Sequence, residues 1–119
     1  MKNLLFVHYP KCGTCRKAAK WLDENQIAVE SRDIKTENPN KEELSAWIKK
    51  SGLPANRFFN TSGIIYRENN LKEKVKTATE GELIDILASD GMVVKRPILV
   101  GDDFVLVGFK EEEWKSRLK

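Results

Sequence analysis

The sequence predicts an α/β fold, a mixed four-stranded sheet in which a helical insertion separates an N-terminal βαβ half from a C-terminal ββα half. Three observations predict it. The apolar run Leu4 to Val7 is followed by a helical pattern and then by a second, more polar strand pattern that ends at Ile34. The middle of the chain carries two capped helix starts, Asn40 with Glu43 and Thr79 with Glu82. Near the end, Ile98-Leu99-Val100 and Phe104 to Val107 flank the turn signal Gly101-Asp102-Asp103 and lead into a last helix. Strands are read from period-two or continuously apolar runs and helices from the 3.6-residue period, so the alternation of the two gives the class.

At 119 residues the chain is expected to form one domain, 1–119, with its core in 1–36 and 91–119 and the helical insertion in 37–90. Apolar residues at 40% and charged residues at 33% are the balance of an ordinary globular protein. The net charge of +3 is slight, and its basic residues are interleaved with Asp and Glu. No direct nucleic-acid partner is therefore expected. The longest apolar run is far below a membrane span and the N-terminus shows no signal-peptide core, so the expected setting is the cytoplasm, with no membrane partner. In that reducing compartment a lone Cys-x-x-Cys serves catalysis or sensing more readily than it serves as a permanent staple.

In order, Leu4 to His8 suits a strand buried on both faces, and Pro10 stops it. A helix is expected from about Thr14 to near Asn25, with Ala18, Ala19, Leu22 and Trp21 on its apolar face. Ile27 and Val29 with Ser31, Asp33 and Ile34 read as a strand parallel to the first, joined to it by a right-handed crossover. After the polar stretch Lys35 to Asn40, a helix with Leu44, Trp47 and Ile48 inward runs to Ser51-Gly52-Leu53-Pro54. Phe58 and Phe59 suit a short helical turn docked on the core, and Asn60 to Gly63 a turn. Tyr66, Leu71 and Val75 mark a mostly polar stretch to which no element is assigned. Thr79-x-x-Glu82 opens a helix with Leu83, Ile84, Ile86 and Leu87 on its face, closed by Gly91. A strand entered at Pro97, its hairpin partner, and a helix from Lys110 to Leu118 with Trp114 and Leu118 inward complete the chain.

The chemistry centres on Cys12 and Cys15. A strand, a tight turn and a helix place Cys12 at the helix N-terminus, where unpaired N–H groups and the helix dipole favour a thiolate. Cys15 lies three residues on, within the reach of a disulfide on a helix. Lys11, Arg16 and Lys17 surround the pair, and no carboxylate follows until Asp23. Two alternatives are weaker. Structural zinc needs four ligands, whereas the chain has two cysteines and one histidine, His8, which the strand pattern aligns with Leu4 and Phe6; no metal is expected. Cysteines that merely pack would have no use for the surrounding cations.

The element order with a Cys-x-x-Cys after the first strand is that of a thioredoxin-like fold. Tyr9-Pro10-Lys11-Cys12-Gly13-Thr14-Cys15-Arg16-Lys17-Ala18, Arg96-Pro97-Ile98 and Val107-Gly108-Phe109-Lys110-Glu111 together resemble the family that groups glutaredoxin-like arsenate reductases with the Spx and MgsR regulators. The resemblance implies Cys12 as the nucleophile, Cys15 as the resolving thiol, and a redox-active disulfide between them. It implies Pro97 as the proline held cis opposite the nucleophile, and Arg96 as a substrate-binding arginine. Where members hold an oxyanion with three arginines, only Arg96 matches. Asn60 and Gly108 stand at the other places, and Arg57 is expected to turn away from Asn60. The implied function is therefore a thiol-disulfide oxidoreductase with no bound cofactor, arsenate being disfavoured as its substrate. Glutathione or thioredoxin would be its external reductant, and a thiol or disulfide small molecule or a redox partner protein would meet Cys12. The alternative implied is an Spx-type redox-sensing regulator that binds the RNA polymerase α subunit.

Overall fold

A computed structural model describes residues 4–119, so residues 1–3 of the expected core segment lie outside the described residues. The sheet has the order β2-β1-β3-β4. β1 (Leu5–His8) runs parallel to β2 (Glu30–Asp33) on one side and antiparallel to β3 (Ile98–Val100) on the other, and β4 (Val105–Val107) returns antiparallel to β3. Strand alternation sorts the side chains into two cores. Phe6, Leu99 and Leu106 sit in register across β1, β3 and β4, and all three face α1 (Gly13–Glu24) and α6 (Glu111–Leu118). Their neighbours Val7, Ile98 and Val105 face the opposite way, into a core closed by the inserted helices.

The insertion comprises α2 (Lys41–Ser51), α3 (Ile64–Glu68), α4 (Leu71–Thr77) and α5 (Glu80–Ser89), with a 3-10 turn at Ala55–Phe58. Both expected capping boxes are present, Asn40 with Glu43 at α2 and Thr79 with Glu82 at α5. Glu43 also receives both terminal nitrogens of Arg32, at 2.6 and 2.9 Å, which ties α2 to β2. The unassigned stretch forms α3 and α4, which bury Tyr66 and Leu71 and little else.

Three expectations are corrected. On α1 the buried positions are Cys15, Ala18, Trp21 and Leu22, with Trp21 against Trp114 and Phe109, while Ala19, one residue and so about 100° round the helix from Ala18, faces solvent. The second strand pairs only from Glu30; Ile27 and Val29 precede it and pack on the α1 side. Gly91 does not terminate α5, which ends at Ser89 with Asp90 as its cap; it opens a 3-10 turn instead. A Cβ on Gly91 would lie 1.9 Å from the Ile34 carbonyl oxygen, so the bare backbone there permits contact between the insertion and the end of β2.

Candidate active site

β1 delivers the chain to a turn in which the Cys12 N–H donates to the Tyr9 carbonyl at 3.0 Å. Cys12 then stands immediately before α1 in extended backbone, as the Cys-x-x-Cys spacing implied. Arg16 fastens the turn to the helix: its backbone N–H donates to the Cys12 carbonyl and its Nε to the Pro10 carbonyl, both at 3.0 Å. Cys15 lies one turn further along and is buried, with the Tyr9 N–H donating to its sulfur at 3.4 Å. Both thiols are free.

The two sulfurs differ in acidity. Burial pushes the Cys12 thiol up, but the backbone N–H and the thiol of Cys15, the Arg96 guanidinium and the Thr14 backbone N–H together hold it below the ordinary thiol value. For Cys15, burial dominates and the thiol is pushed up to about 12; the Tyr9 N–H pulls it down, and hydrogen bonding and charge at Cys12 push it further up. The cations expected to acidify Cys12, namely Lys11, Arg16 and Lys17, are exposed and are not among the causes; the effective charge is Arg96, far away in sequence. A charge directed into solvent is screened, whereas one beside a half-buried sulfur is screened much less.

These acidities set a pH profile. The alkylation rate of Cys12 by iodoacetamide is expected to rise with pH and level off with a midpoint below that of a free thiol, because a lowered pKa brings the thiolate in earlier. Arg96→Gln should move the midpoint upward, and Cys15 should stay unreactive through mildly alkaline pH. A wild-type midpoint at or above the free-thiol value would contradict the assignment.

Arg96 is half-buried rather than a solvated strand-end charge. Its Nη1 donates to the Met92 and Val94 carbonyls at 3.2 and 3.1 Å, and its guanidinium stands 5.4 Å over the Tyr9 ring. Its Nε is buried with no partner. The Arg96–Pro97 peptide is cis. Cys12 and Arg96 line one cleft of about 810 Å³, and Asn60 and Gly108 line it too, while Arg57 is exposed and not part of it. Cys15 and Pro97 lie outside the lining, both buried. Lys95 and Lys110, to which no site role was assigned from the sequence, also line the cleft. His8 stacks on Phe6 at 4.8 Å and does not line it, in keeping with its strand parity. Among the described residues there is no group of three or more His, Cys, Asp or Glu placed to hold a metal. No helix among them is long and apolar enough to cross a membrane.

A mixed sheet of this order, with a Cys-x-x-Cys opening α1 and a cis proline before β3, defines a thioredoxin-like protein of the arsenate reductase and Spx type. The model of the ArsC family matches residues 7–116, and the chain belongs to that family. It is 51% identical to the uncharacterized protein YusI of Bacillus subtilis, over 96% of this chain and 97% of that one. It is 28% identical to the regulatory protein MgsR of the same organism, over 94% and 87%. Among solved structures, an ArsC family related protein from Bacteroides fragilis matches with a TM-score of 0.96 and 55% identity over 98% of each chain. A possible arsenate reductase from Streptococcus mutans matches with a TM-score of 0.86 and 38% identity over 97% and 99%.

Proposed function

We propose that the protein is a thiol-disulfide oxidoreductase in which Cys12 is the nucleophile and Cys15 the resolving thiol. The observation that carries this is the unequal pair at the head of α1: an acidified Cys12 on an open cleft and, one turn below, a buried Cys15 held up to about 12. In the first step the Cys12 thiolate attacks a disulfide sulfur, a mixed disulfide forms, and one thiolate leaves. That step removes the negative charge from Cys12, and with it both the hydrogen bond and the charge that raise Cys15. The Tyr9 N–H and Arg96 then favour the Cys15 thiolate, which attacks the Cys12 sulfur and expels the second thiol. Glutathione or thioredoxin would return the internal disulfide to the dithiol. Arg96 alone stands where the arsenate-reducing members are expected to hold three arginines, so organic disulfides fit the site better than arsenate.

Trapping tests the order of events. With a small disulfide, Cys15→Ser is expected to hold half of it as a stable adduct on Cys12, visible by intact mass. Wild type should release both halves and retain only the internal disulfide. A Cys15→Ser protein that carries no adduct would refute the assignment of roles.

The likeness to MgsR, a regulatory protein by name, favours one second reading. The same dithiol would then act as a switch for contact with the RNA polymerase α subunit. Reversible oxidation without turnover, together with capture of that subunit in one thiol state only, would favour it.

A further inference from the structure

The cleft has a charge pattern that thiol exchange alone does not require. Three cations, Lys95, Arg96 and Lys110, line it, and no Asp or Glu does among the described residues. Arg96 is engaged with two carbonyls and the Tyr9 ring, but neither lysine forms an ion pair among the described residues. Lys95 is also placed with unusual definition. Its backbone N–H donates to the Phe58 carbonyl at 2.7 Å, which fixes where its side chain begins. Gly108, at φ +78°, lies under its far end: a Cβ there would stand 3.0 Å from Lys95 Cε and 3.7 Å from Nζ. The missing side chain at 108 thus leaves room for the Lys95 ammonium to lie across the cleft, and Lys110 follows two residues later on the same rim. The volume, about 810 Å³, is that of a small-molecule site, and Ile65, Met92 and Phe109 supply apolar wall for methylene groups.

We infer that Lys95 and Lys110 are anion-binding residues of this cleft, and that its substrates are disulfides of small thiols bearing carboxylates. This rests on the oxidoreductase proposal above. In the reaction the Cys12 thiolate forms a bond to one sulfur of the disulfide and the S–S bond breaks; the departing carboxylate-bearing thiolate takes the Cys15 proton. The Cys15 thiolate then forms the internal disulfide and expels the second thiol, protonated from solvent. The protein dithiol gives up two electrons and the substrate disulfide gains them. The carboxylates stay on the substrate and serve only to hold it.

A charge series on one short scaffold tests this. Pre-reduced protein is mixed, without external reductant, with 3,3′-dithiodipropionate (dianionic), 2-hydroxyethyl disulfide (neutral) or cystamine (dicationic), and formation of the internal disulfide is timed. A free thiolate in water favours the cationic disulfide, because like charges repel. The protein is expected to invert that order, with the dianion ahead of the dication by about tenfold or more at low ionic strength. The gap should close with added salt, and each of Lys95→Gln and Lys110→Gln should narrow the dianion-to-dication ratio by about fivefold. Reading the ratio within each variant separates substrate binding from any general loss of fold. An order like that of a free thiol, or a ratio untouched by both substitutions, would overturn the inference and leave the oxidoreductase proposal standing. Failure of all three disulfides to oxidise the protein would overturn both.

Discussion

Cys12→Ser is expected to lower disulfide turnover by roughly a thousandfold or more, because a serine hydroxyl does not ionise near neutral pH and does not exchange with sulfur. The assay is NADPH-coupled reduction of a small mixed disulfide with glutathione or thioredoxin as reductant, with arsenate run beside it. Arsenate should be a poor substrate even for wild type, since Asn60 and Gly108, which line the cleft, stand where the family resemblance implies two further arginines. Cys12 is only partly buried and belongs to neither hydrophobic core, so the variant should melt within a few degrees of wild type. Turnover that survives the substitution would remove Cys12 from the chemistry. Turnover lost together with a large fall in Tm would show that the thiol has a structural role instead.

The largest expected effect on stability is at Trp114. Its indole is fully buried, meets Phe6, Trp21 and Phe109 edge to face, and donates Nε1–H to the Gly108 carbonyl at 3.1 Å. Trp114→Ala should cost about 3–5 kcal/mol for the lost ring and its cavity, with about 1 kcal/mol more for the Gly108 carbonyl left without its donor. Against a total stability of roughly 5–15 kcal/mol, Tm should fall by about 10 °C or more. Trp114→Phe keeps most of the volume and loses the hydrogen bond, so its effect should be smaller. Denaturation of both variants by calorimetry checks this, and a Trp114→Ala protein melting within about 3 °C of wild type would contradict the packing described.

Much of this architecture is legible in the chain because it depends on local signals. The two capping boxes, the Cys-x-x-Cys at the head of α1 and the Gly-Asp-Asp hairpin turn each act within a few residues, and each appears where its motif stands. The central place of β1 agrees with its apolar run and the edge place of β2 with its more polar pattern. What was hidden depends on distance. Only the tertiary fold reveals that the charge acting on Cys12 is Arg96 rather than Lys11 or Arg16, because Arg96 lies far along the chain and is brought beside the end of β1 by the pairing of β3 with β1. Lys95 could have been suspected as the neighbour of Arg96, but nothing in its sequence context separates it from the other lysines. Its role depends on the vacancy over Gly108, a backbone fact. The helices α3 and α4 escaped assignment because five- and seven-residue segments with one buried side chain each show no period.

The position of β1 in the sheet has a consequence for biosynthesis. Its partner on one side follows within thirty residues, but on the other side Val7 pairs with Ile98, about ninety residues later. At a ribosomal rate of about 5–20 residues per second, β1 therefore waits roughly 5 to 20 s for that edge to be covered. Arg96 emerges in the same final stretch as β3. The nascent chain thus carries Cys12 without one of the groups that lower its pKa, the Arg96 guanidinium. The hydrogen bonds from Cys15 and Thr14 arise within α1 itself, so the contribution that waits for the last quarter of the protein is the charge of Arg96.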